Sequence, residues 1–247
     1  SDGDRIEIGP GTYNENLTID GKQLELVGFA GRDNTFVDGG FNSRCLRIDN
    51  VATGPVIIEG ITFQKGREDG TGAGIYASSP IQIHDCAVIK CIAYRGSAGG
   101  IFIGGSNSLL TNVLIQGNSA GNYSTSNYHG GGCSIAGSGT TLSNCVINGN
   151  SVKITGNNGY SVRGGGCFIS ATNVTIESTL IQNNLATGEN GSYQFGSGIY
   201  SDYTAPFYMN NTAVCGNSGT DQQIDGSYSG SNNLVSDVCN AESEPNG

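Results

Sequence analysis

The segment Gly164-Gly165-Gly166-Cys167-Phe168-Ile169 joins a glycine-rich step to a short apolar strand, and this motif occurs five times in the chain. The other copies are Gly72-Ala73-Gly74-Ile75-Tyr76, Gly99-Gly100-Ile101-Phe102, Gly130-Gly131-Gly132-Cys133-Ser134-Ile135 and Gly196-Ser197-Gly198-Ile199-Tyr200. Their first apolar residues are at positions 75, 101, 133, 167 and 199, so the spacings are 26, 32, 34 and 32 residues. Such a period indicates one supersecondary unit that is stacked repeatedly.

A second motif recurs in phase with the first and places apolar residues in alternation. Its copies are Ile58-x-x-Ile61-x-Phe63, Ile83-x-x-Cys86-x-Val88, Leu110-x-x-Val113-x-Ile115, Leu142-x-x-Cys145-x-Ile147, Ile176-x-x-Thr179-x-Ile181 and Met209-x-x-Thr212-x-Val214. Period-two alternation indicates strands with one face inward. Strands of three to five residues bury a core only when they stack, about 4.8 Å apart. The sequence therefore predicts an all-β fold, a right-handed parallel β-helix of about seven coils with long lateral loops.

Three residues after each copy of the second motif lies one further repeated position, occupied by Gly66, Cys91, Asn118, Asn150, Asn184 and Asn217. Asparagine amides at the same turn of successive coils can hydrogen-bond along the stack. The asparagines could instead bind a ligand. The pattern favours an internal asparagine ladder.

The opening segment Asp2-Gly3-Asp4-Arg5-Ile6-Glu7-Ile8-Gly9-Pro10-Gly11-Thr12-Tyr13 resembles the first coil of pectin-lyase-like β-helix proteins. The glycine-preceded strands, alternating with Ile-x-x-Asn turns, resemble the repeats of polymorphic outer-membrane proteins and related bacterial surface proteins. The resemblance implies the β-helix fold and an extracellular or cell-surface location. That superfamily contains lyases, hydrolases, esterases and non-catalytic adhesins, so the resemblance leaves the activity open.

Composition narrows the class of partner. The net charge of −10 argues against nucleic acid, whose phosphates need basic partners. No run reaches the roughly 18 apolar residues of a transmembrane helix. We expect one β-helix domain over residues 1–240 and a polar linker over 241–247, within a chain that is a piece of a longer protein.

The eight cysteines divide by position. Cys215 and Cys239 flank the last coil, and we expect them to form a disulfide. Cys133 and Cys167 should point inward in adjacent coils, where they form either a disulfide or two buried thiols. Cys86 and Cys145 lie two coils apart and should be free and buried, and Cys45 and Cys91 have no assigned partner.

The outward positions of the glycine-preceded strands are rich in aromatic residues. This column and the lateral loops predict one groove that binds a glycan or a protein partner, although the column could equally be packing covered by the loops. The candidate binding residues are Tyr76, Phe102, Phe168, Tyr200, Tyr94, Arg95, Tyr128, His129, Tyr160, Arg163 and Tyr193.

Catalytic chemistry is poorly represented in the repeats. A β-helix lyase needs a basic residue beside a charge-neutralising group, and a glycoside hydrolase needs paired carboxylates on one face. The repeats align no such residues, and we predict no metal or cofactor. The favoured hypothesis is an extracellular adhesin-like binding module. The alternatives are a polysaccharide lyase or glycoside hydrolase on the same scaffold, and a structural subunit that associates end to end.

Overall fold

The computed structural model describes residues 2–123, 126–155, 159–189, 191–202, 204–219 and 222–239, so the expected linker over 241–247 lies outside the described residues. Within them the chain forms parallel-paired β-strands and no helix. No helix of the described residues therefore has the length and hydropathy of a membrane span.

Three long sheets form the walls of the solenoid. Sheet A consists of β1 (Asp4–Ile8), β4 (Leu24–Gly28), β7 (Val56–Glu59), β11 (Ile81–His84), β15 (Leu109–Thr111), β20 (Thr141–Ser143), β25 (Thr175–Glu177), β30 (Phe207–Asn210) and β33 (Tyr228–Ser229). Sheet B consists of β2 (Gly11–Tyr13), β5 (Thr35–Asp38), β8 (Thr62–Gln64), β12 (Ala87–Ile89), β16 (Leu114–Gln116), β21 (Val146–Asn148), β26 (Leu180–Gln182), β31 (Ala213–Cys215) and β34 (Leu234–Ser236). Sheet C consists of β3 (Leu17–Asp20), β6 (Leu46–Asp49), β10 (Ile75–Ala77), β14 (Ile101–Ile103), β19 (Cys133–Ile135), β24 (Cys167–Ile169), β29 (Ile199–Ser201) and β32 (Ile224–Asp225).

The parallel β-helix fold is confirmed, but the number of coils is larger than predicted. Eight coils of the described chain give one strand to each of the three sheets, and β33 and β34 begin a ninth. Five of the eight coils carry the glycine motif, whereas the first two, with β3 and β6, and the eighth, with β32, lack it. The interior is filled by the inward aliphatic columns of the second motif, such as Ile83, Leu110 and Leu142, all 0% exposed.

The asparagine ladder is confirmed. The Nδ2 atom of Asn150 donates to Oδ1 of Asn184 at 3.0 Å and to the Ile115 carbonyl at 2.9 Å. Its own Oδ1 accepts from the backbone N–H and the side-chain amide of Asn118. The pattern repeats at Asn184. It ends at Gln223, whose Oε1 accepts from the Asn217 amide at 2.8 Å.

The lateral loops are not irregular but form two further sheets, which we call the fin. Sheet D consists of β9 (Arg67–Glu68), β13 (Ile92–Tyr94), β17 (Ser119–Tyr123), β22 (Ser151–Thr155) and β27 (Leu185–Gly188). Sheet E consists of β18 (Tyr128–His129), β23 (Ser161–Arg163) and β28 (Tyr193–Phe195). The two sheets pack against each other through buried side chains, among them Val152, Ile154 and Val162.

The glycine motif is the turn that folds sheet E back over sheet C. Gly164 has a left-handed φ of 64°, and a Cβ there would lie 2.2 Å from the Cys167 carbonyl oxygen. The third glycine has a different task. A Cβ on Gly166 would lie 2.9 Å from the ladder amide of Asn184. The glycine motif and the asparagine position therefore occur together because they are in contact.

The cysteines follow the predicted inward columns. Cys215 and Cys239 form the expected disulfide, while the other six thiols are free and buried. Cys133 and Cys167 are register partners, but the bridge between them is not formed, and the alternative of two buried thiols describes the structure. Burial raises the pKa of the Cys86 thiol to about 12 and that of Cys145 to about 11, so both are unreactive.

Cys45 and Cys91, which had no predicted partner, meet inside the early coils. A hydrogen bond with Cys45, together with burial, raises the pKa of the Cys91 thiol. The Cys91 sulfur also accepts from the Gly66 N–H at 3.3 Å. Cys91 therefore holds the ladder position in a coil that lacks the asparagine.

Candidate functional site

The outward column of sheet C is a stack of rings with one interruption. Tyr76 and Phe102 are register partners whose ring centroids lie 5.0 Å apart. Phe168 and Tyr200 stack at 5.6 Å in the later coils. Between the two pairs the column carries Ser134, which has no ring.

His129 of sheet E supplies a ring in the coil where the column has serine. Its imidazole stacks on Phe168 with centroids 4.4 Å apart and planes 16° apart. Because β18 and β19 belong to the same coil, the imidazole lies at the level of the short Ser134 side chain. The serine thus makes room for a ring delivered by the fin.

The fin covers the later half of the ring column. Phe168 and Tyr200 are 7% and 6% exposed, so the expectation that they face a ligand is wrong, and the alternative of a column covered by the loops describes them. The ring centroids of Phe195, in the fin, and Tyr200 lie 6.0 Å apart. Only Tyr76 and Phe102 stay partly open, and Arg44 and Arg47 lie over the Tyr76 ring.

Arg163 and His129 form the polar part of this interface. The Arg163 guanidinium lies 5.1 Å from the Tyr200 ring centroid and 5.7 Å from that of Phe195. The His129 Nδ1 and the Arg163 Nε atoms are buried without a hydrogen-bond partner among the described residues. Burial, and then the charge of Arg163, lower the pKa of His129 from 6.5 to about 4. The imidazole is therefore neutral at pH 7 and acts as a packing ring.

Acidification should weaken the attachment of the fin. His129 binds its proton near pH 6.5 when unfolded but only near pH 4 when folded. Stability from this group is therefore complete above pH 6.5 and falls as the pH drops towards 4, by about 3 kcal/mol in total at 1.36 kcal/mol per pH unit. His129→Phe keeps a ring and should remove this part of the pH dependence. Denaturant unfolding at pH 7 and pH 4.5 measures it.

His84→Phe is the matched control for this pH dependence, because His84 lies partly exposed on sheet A, away from the fin. The control should keep the wild-type difference in unfolding free energy between the two pH values. An equal difference for His129→Phe and the wild type would contradict the assignment.

The remaining predicted residues do not form one groove. Tyr128, 2% exposed, points into the fin, where its ring lies 3.2 Å from the position of a Cβ on Gly121. Tyr160 packs partly buried against the core. Tyr193 is 60% exposed and stacks on Phe195 at 6.4 Å. The structure thus buries Tyr128, whose loop position had suggested a binding surface.

The outer face of sheet D carries a cavity lined in part by Tyr94, one of the predicted binding residues. Its volume is about 180 Å³, and Tyr94 and Lys153 flank Gly121 in one outward column. Gly121 is the register partner of both residues and lines the cavity between them with its backbone. Its other lining residues are Ile92, Ser119, Ala120 and Ser151. We call this cavity the sheet D groove.

Cations surround the sheet D groove in a chain whose net charge is −10. The guanidinium groups of Arg67 and Arg95 lie 5.2 and 5.4 Å from the Tyr94 ring centroid. Arg95 lies 3.8 Å from the Asp69 carboxylate, and Lys153 lies 3.8 Å from that of Glu189. The pair of Lys153 and Glu189 is exposed and weak, so an anionic ligand can compete for the Lys153 ammonium group.

The sequence indicated Tyr94 and Arg95 but missed Arg67, Lys153 and the two serines. For Ser151 and Lys153 the available signal was the alternation in Ser151-Val152-Lys153, since Val152 is buried and its neighbours must point outward. The pairing of Gly121 with Lys153 could not be predicted, because it depends on the register between two coils.

Among the described residues no group of three His, Cys, Asp or Glu side chains could hold a metal ion. The sheet D groove itself is lined by hydroxyl groups, one tyrosine and one lysine, without a carboxylate. Its chemistry suits hydrogen bonding and charge pairing.

Comparisons with known proteins add little beyond the architecture. No protein-family model and no curated protein matches the chain. Among solved structures it is similar to a pectin methylesterase from Yersinia enterocolitica, with 10% sequence identity and a TM-score of 0.39 over 93% of this chain and 84% of the other. The similarity is too low to carry an argument about function. The parallel register of its own sheets defines this chain as a β-helix protein.

Proposed function

We propose that this protein is a non-catalytic extracellular β-helix module that binds acidic glycans through the sheet D groove. The observation that carries the proposal is the placement of Lys153 across a glycine-floored depression from Tyr94, with Arg67 and Arg95 beside the tyrosine. Uronate or sulfate groups pair with such cations. Ser119 and Ser151 offer hydroxyl groups to the sugar.

The extracellular location is part of the proposal and has two supports. The Cys215–Cys239 disulfide closes the last coil, and disulfides persist mainly in oxidising compartments. The resemblance to bacterial surface repeats agrees with this location. An adhesin-like role fits the position of the groove on a lateral sheet, where a polymer can reach it.

Lys153→Ala is expected to weaken binding to uronate or sulfated oligosaccharides about tenfold, because one charge-assisted hydrogen bond is lost. Titration calorimetry at two salt concentrations measures this, and the wild-type affinity should fall as salt rises. Lys22→Ala is the matched control, because Lys22 is exposed in the turn between β3 and β4, and this variant should bind like the wild type. Equal affinities for Lys153→Ala and the wild type, or no binding to any acidic glycan, would refute the groove.

The same glycan samples also test the enzyme alternative. Unsaturated products formed during incubation with pectate or alginate would show that the protein is a lyase. New reducing ends without unsaturation would show that it is a hydrolase. Unchanged polymers with measurable binding support the binding module.

End-to-end association is a second candidate function, favoured by one observation. Among the described strands, β1, β2 and β3 are the outermost of their sheets and surround an apolar cavity of about 300 Å³, lined by residues such as Ile6, Leu17 and Leu26, which a further coil of this or another chain would cover. Such edges can pair with another chain. Light scattering on the concentrated wild-type sample would reveal the filaments or oligomers.

A further inference from the structure

The outer face of sheet B carries a regular array in three consecutive coils, which we call the sheet B array. Each coil contributes a polar turn residue, an aliphatic residue and an amide, two positions apart. The rows are Asn112, Leu114 and Gln116; Asn144, Val146 and Asn148; and Ser178, Leu180 and Gln182. The side chains between them, such as Ile115 and Ile147, are fully buried, so the nine side chains of the array face outward.

The strand register places the array on a flat lattice. Leu114, Val146 and Leu180 are register partners, and so are their three amide neighbours. Rows therefore repeat about every 4.8 Å along the solenoid, and the aliphatic and amide positions of one row are about 6.6 Å apart. The turn residues, with φ values of 49–56°, lie at the corner that precedes each strand. An aliphatic ridge runs along the axis, with polar groups on both sides.

None of the nine array side chains is charged, although the chain as a whole is acidic. The nearest carboxylate, that of Asp85 in the preceding coil, accepts a hydrogen bond from the Asn112 amide at the edge of the array. The side-chain amides of Gln116 and Gln182 make no hydrogen bond within the described residues. They are therefore ready to donate to and accept from a neutral ligand.

A segment of the chain already covers the same face in earlier coils. The Arg32 guanidinium donates to the carbonyl oxygens of Cys86 at 3.2 Å and Asn112 at 2.8 Å. Under this loop the outward residues Thr62 and Ala87 are only 3% and 4% exposed. The loop stops at the first row of the array, so the same outward column continues uncovered from Leu114 onward.

We propose that the sheet B array binds an extended, uncharged β-1,4-linked polysaccharide that lies along the solenoid axis. A pyranose ring has an apolar C–H face, which suits the aliphatic ridge, and hydroxyl edges, which suit the flanking amides. Two coils advance about 9.6 Å, close to the length of two sugar residues in an extended chain. This site is separate from the sheet D groove in both position and ligand charge.

The experiment measures binding to cellulose, chitin and mannan by co-sedimentation. Val146→Lys places a charge in the centre of the ridge and should lower the affinity at least about tenfold. Thr141→Lys is the matched control, since Thr141 is partly exposed on the outer face of sheet A in the same coil, and it should bind like the wild type.

A second variant keeps the test decisive if Val146→Lys does not fold. The double variant Gln116→Ala and Gln182→Ala only shortens two outward amides, and it should also lose affinity about tenfold. Wild-type protein that binds none of the three polymers would overturn the proposal. Array variants that bind like the wild type would overturn it as well, whatever the result for acidic glycans.

Discussion

Replacement of Asn150 by alanine is expected to lower the free energy of unfolding by about 4 kcal/mol, because several buried hydrogen-bonding groups lose their partner at once. Asn150 is 0% exposed, and its side chain makes four hydrogen bonds. Two are accepted from Asn118, and one is donated to each of Ile115 and Asn184. Each polar group left unsatisfied in the interior costs about 1–3 kcal/mol.

The loss should propagate along the stack. Asn118 and Asn184 have the same bonding pattern, so a gap at Asn150 separates the ladder into two parts. In a solenoid each coil is stabilised mainly by its neighbours, so a weakened interface also lowers cooperativity. Denaturant unfolding followed by circular dichroism should show a lower midpoint and a broader transition for Asn150→Ala.

Asn148→Ala is the matched control, since it removes the same amide from the same coil two residues earlier. The Asn148 side chain points outward, and its Oδ1 accepts one exposed hydrogen bond, from Asn183 at 3.1 Å. The control should therefore change the unfolding free energy by about 0.5 kcal/mol or less. A loss below about 1 kcal/mol for Asn150→Ala would mean that the ladder contributes little to stability.

The coil could be predicted because its signals are local. Alternation in segments such as Leu110–Ile115 decides which side chains point inward, and the repeated asparagine position follows from the same register. Cys215 and Cys239 could be paired because they flank one short return of the chain. None of these inferences needed contacts between distant parts of the sequence.

The fin and the sheet D groove could not be predicted because they depend on pairing between coils. Ser119–Tyr123 is rich in small residues and gives no strong strand signal alone, although Ser151–Thr155 does alternate. They become strands because adjacent coils present their backbones in register. The burial of Tyr128, Phe168 and Tyr200 follows from the fin, which explains why their sequence positions suggested an open binding face.

The fin also depends on a left-handed glycine at the fold-back turn. Alanine takes the same conformation at the equivalent Ala98 (φ 54°), but that coil contributes no strand to sheet E. Gly164→Ala is expected to lower the free energy of unfolding by about 4 kcal/mol. The left-handed alanine backbone contributes about 1–2 kcal/mol of this loss, and overpacking contributes about 1–3 kcal/mol. The new Cβ would lie 2.2 Å from the Cys167 carbonyl oxygen, which is backbone and cannot rotate away. The turn must open, and β23 must move off the ring column of sheet C.

Gly149→Ala separates the two causes within one coil. Gly149 has a φ of 63°, against 64° for Gly164, but a Cβ there has no neighbour within 4 Å. Gly149→Ala should lower the free energy of unfolding by only about 1–2 kcal/mol, which is the cost of a left-handed alanine backbone. Gly164→Ala should in addition accelerate amide hydrogen exchange in β18, β23 and β28, while the ladder coils stay protected.

Equal unfolding free energies and equal exchange for the two variants would mean that the close approach at Cys167 does not hold the fin. A selective loss of protection in sheet E would instead show that the glycine step, and not the packing of sheet D alone, keeps the rings of Phe168 and Tyr200 covered.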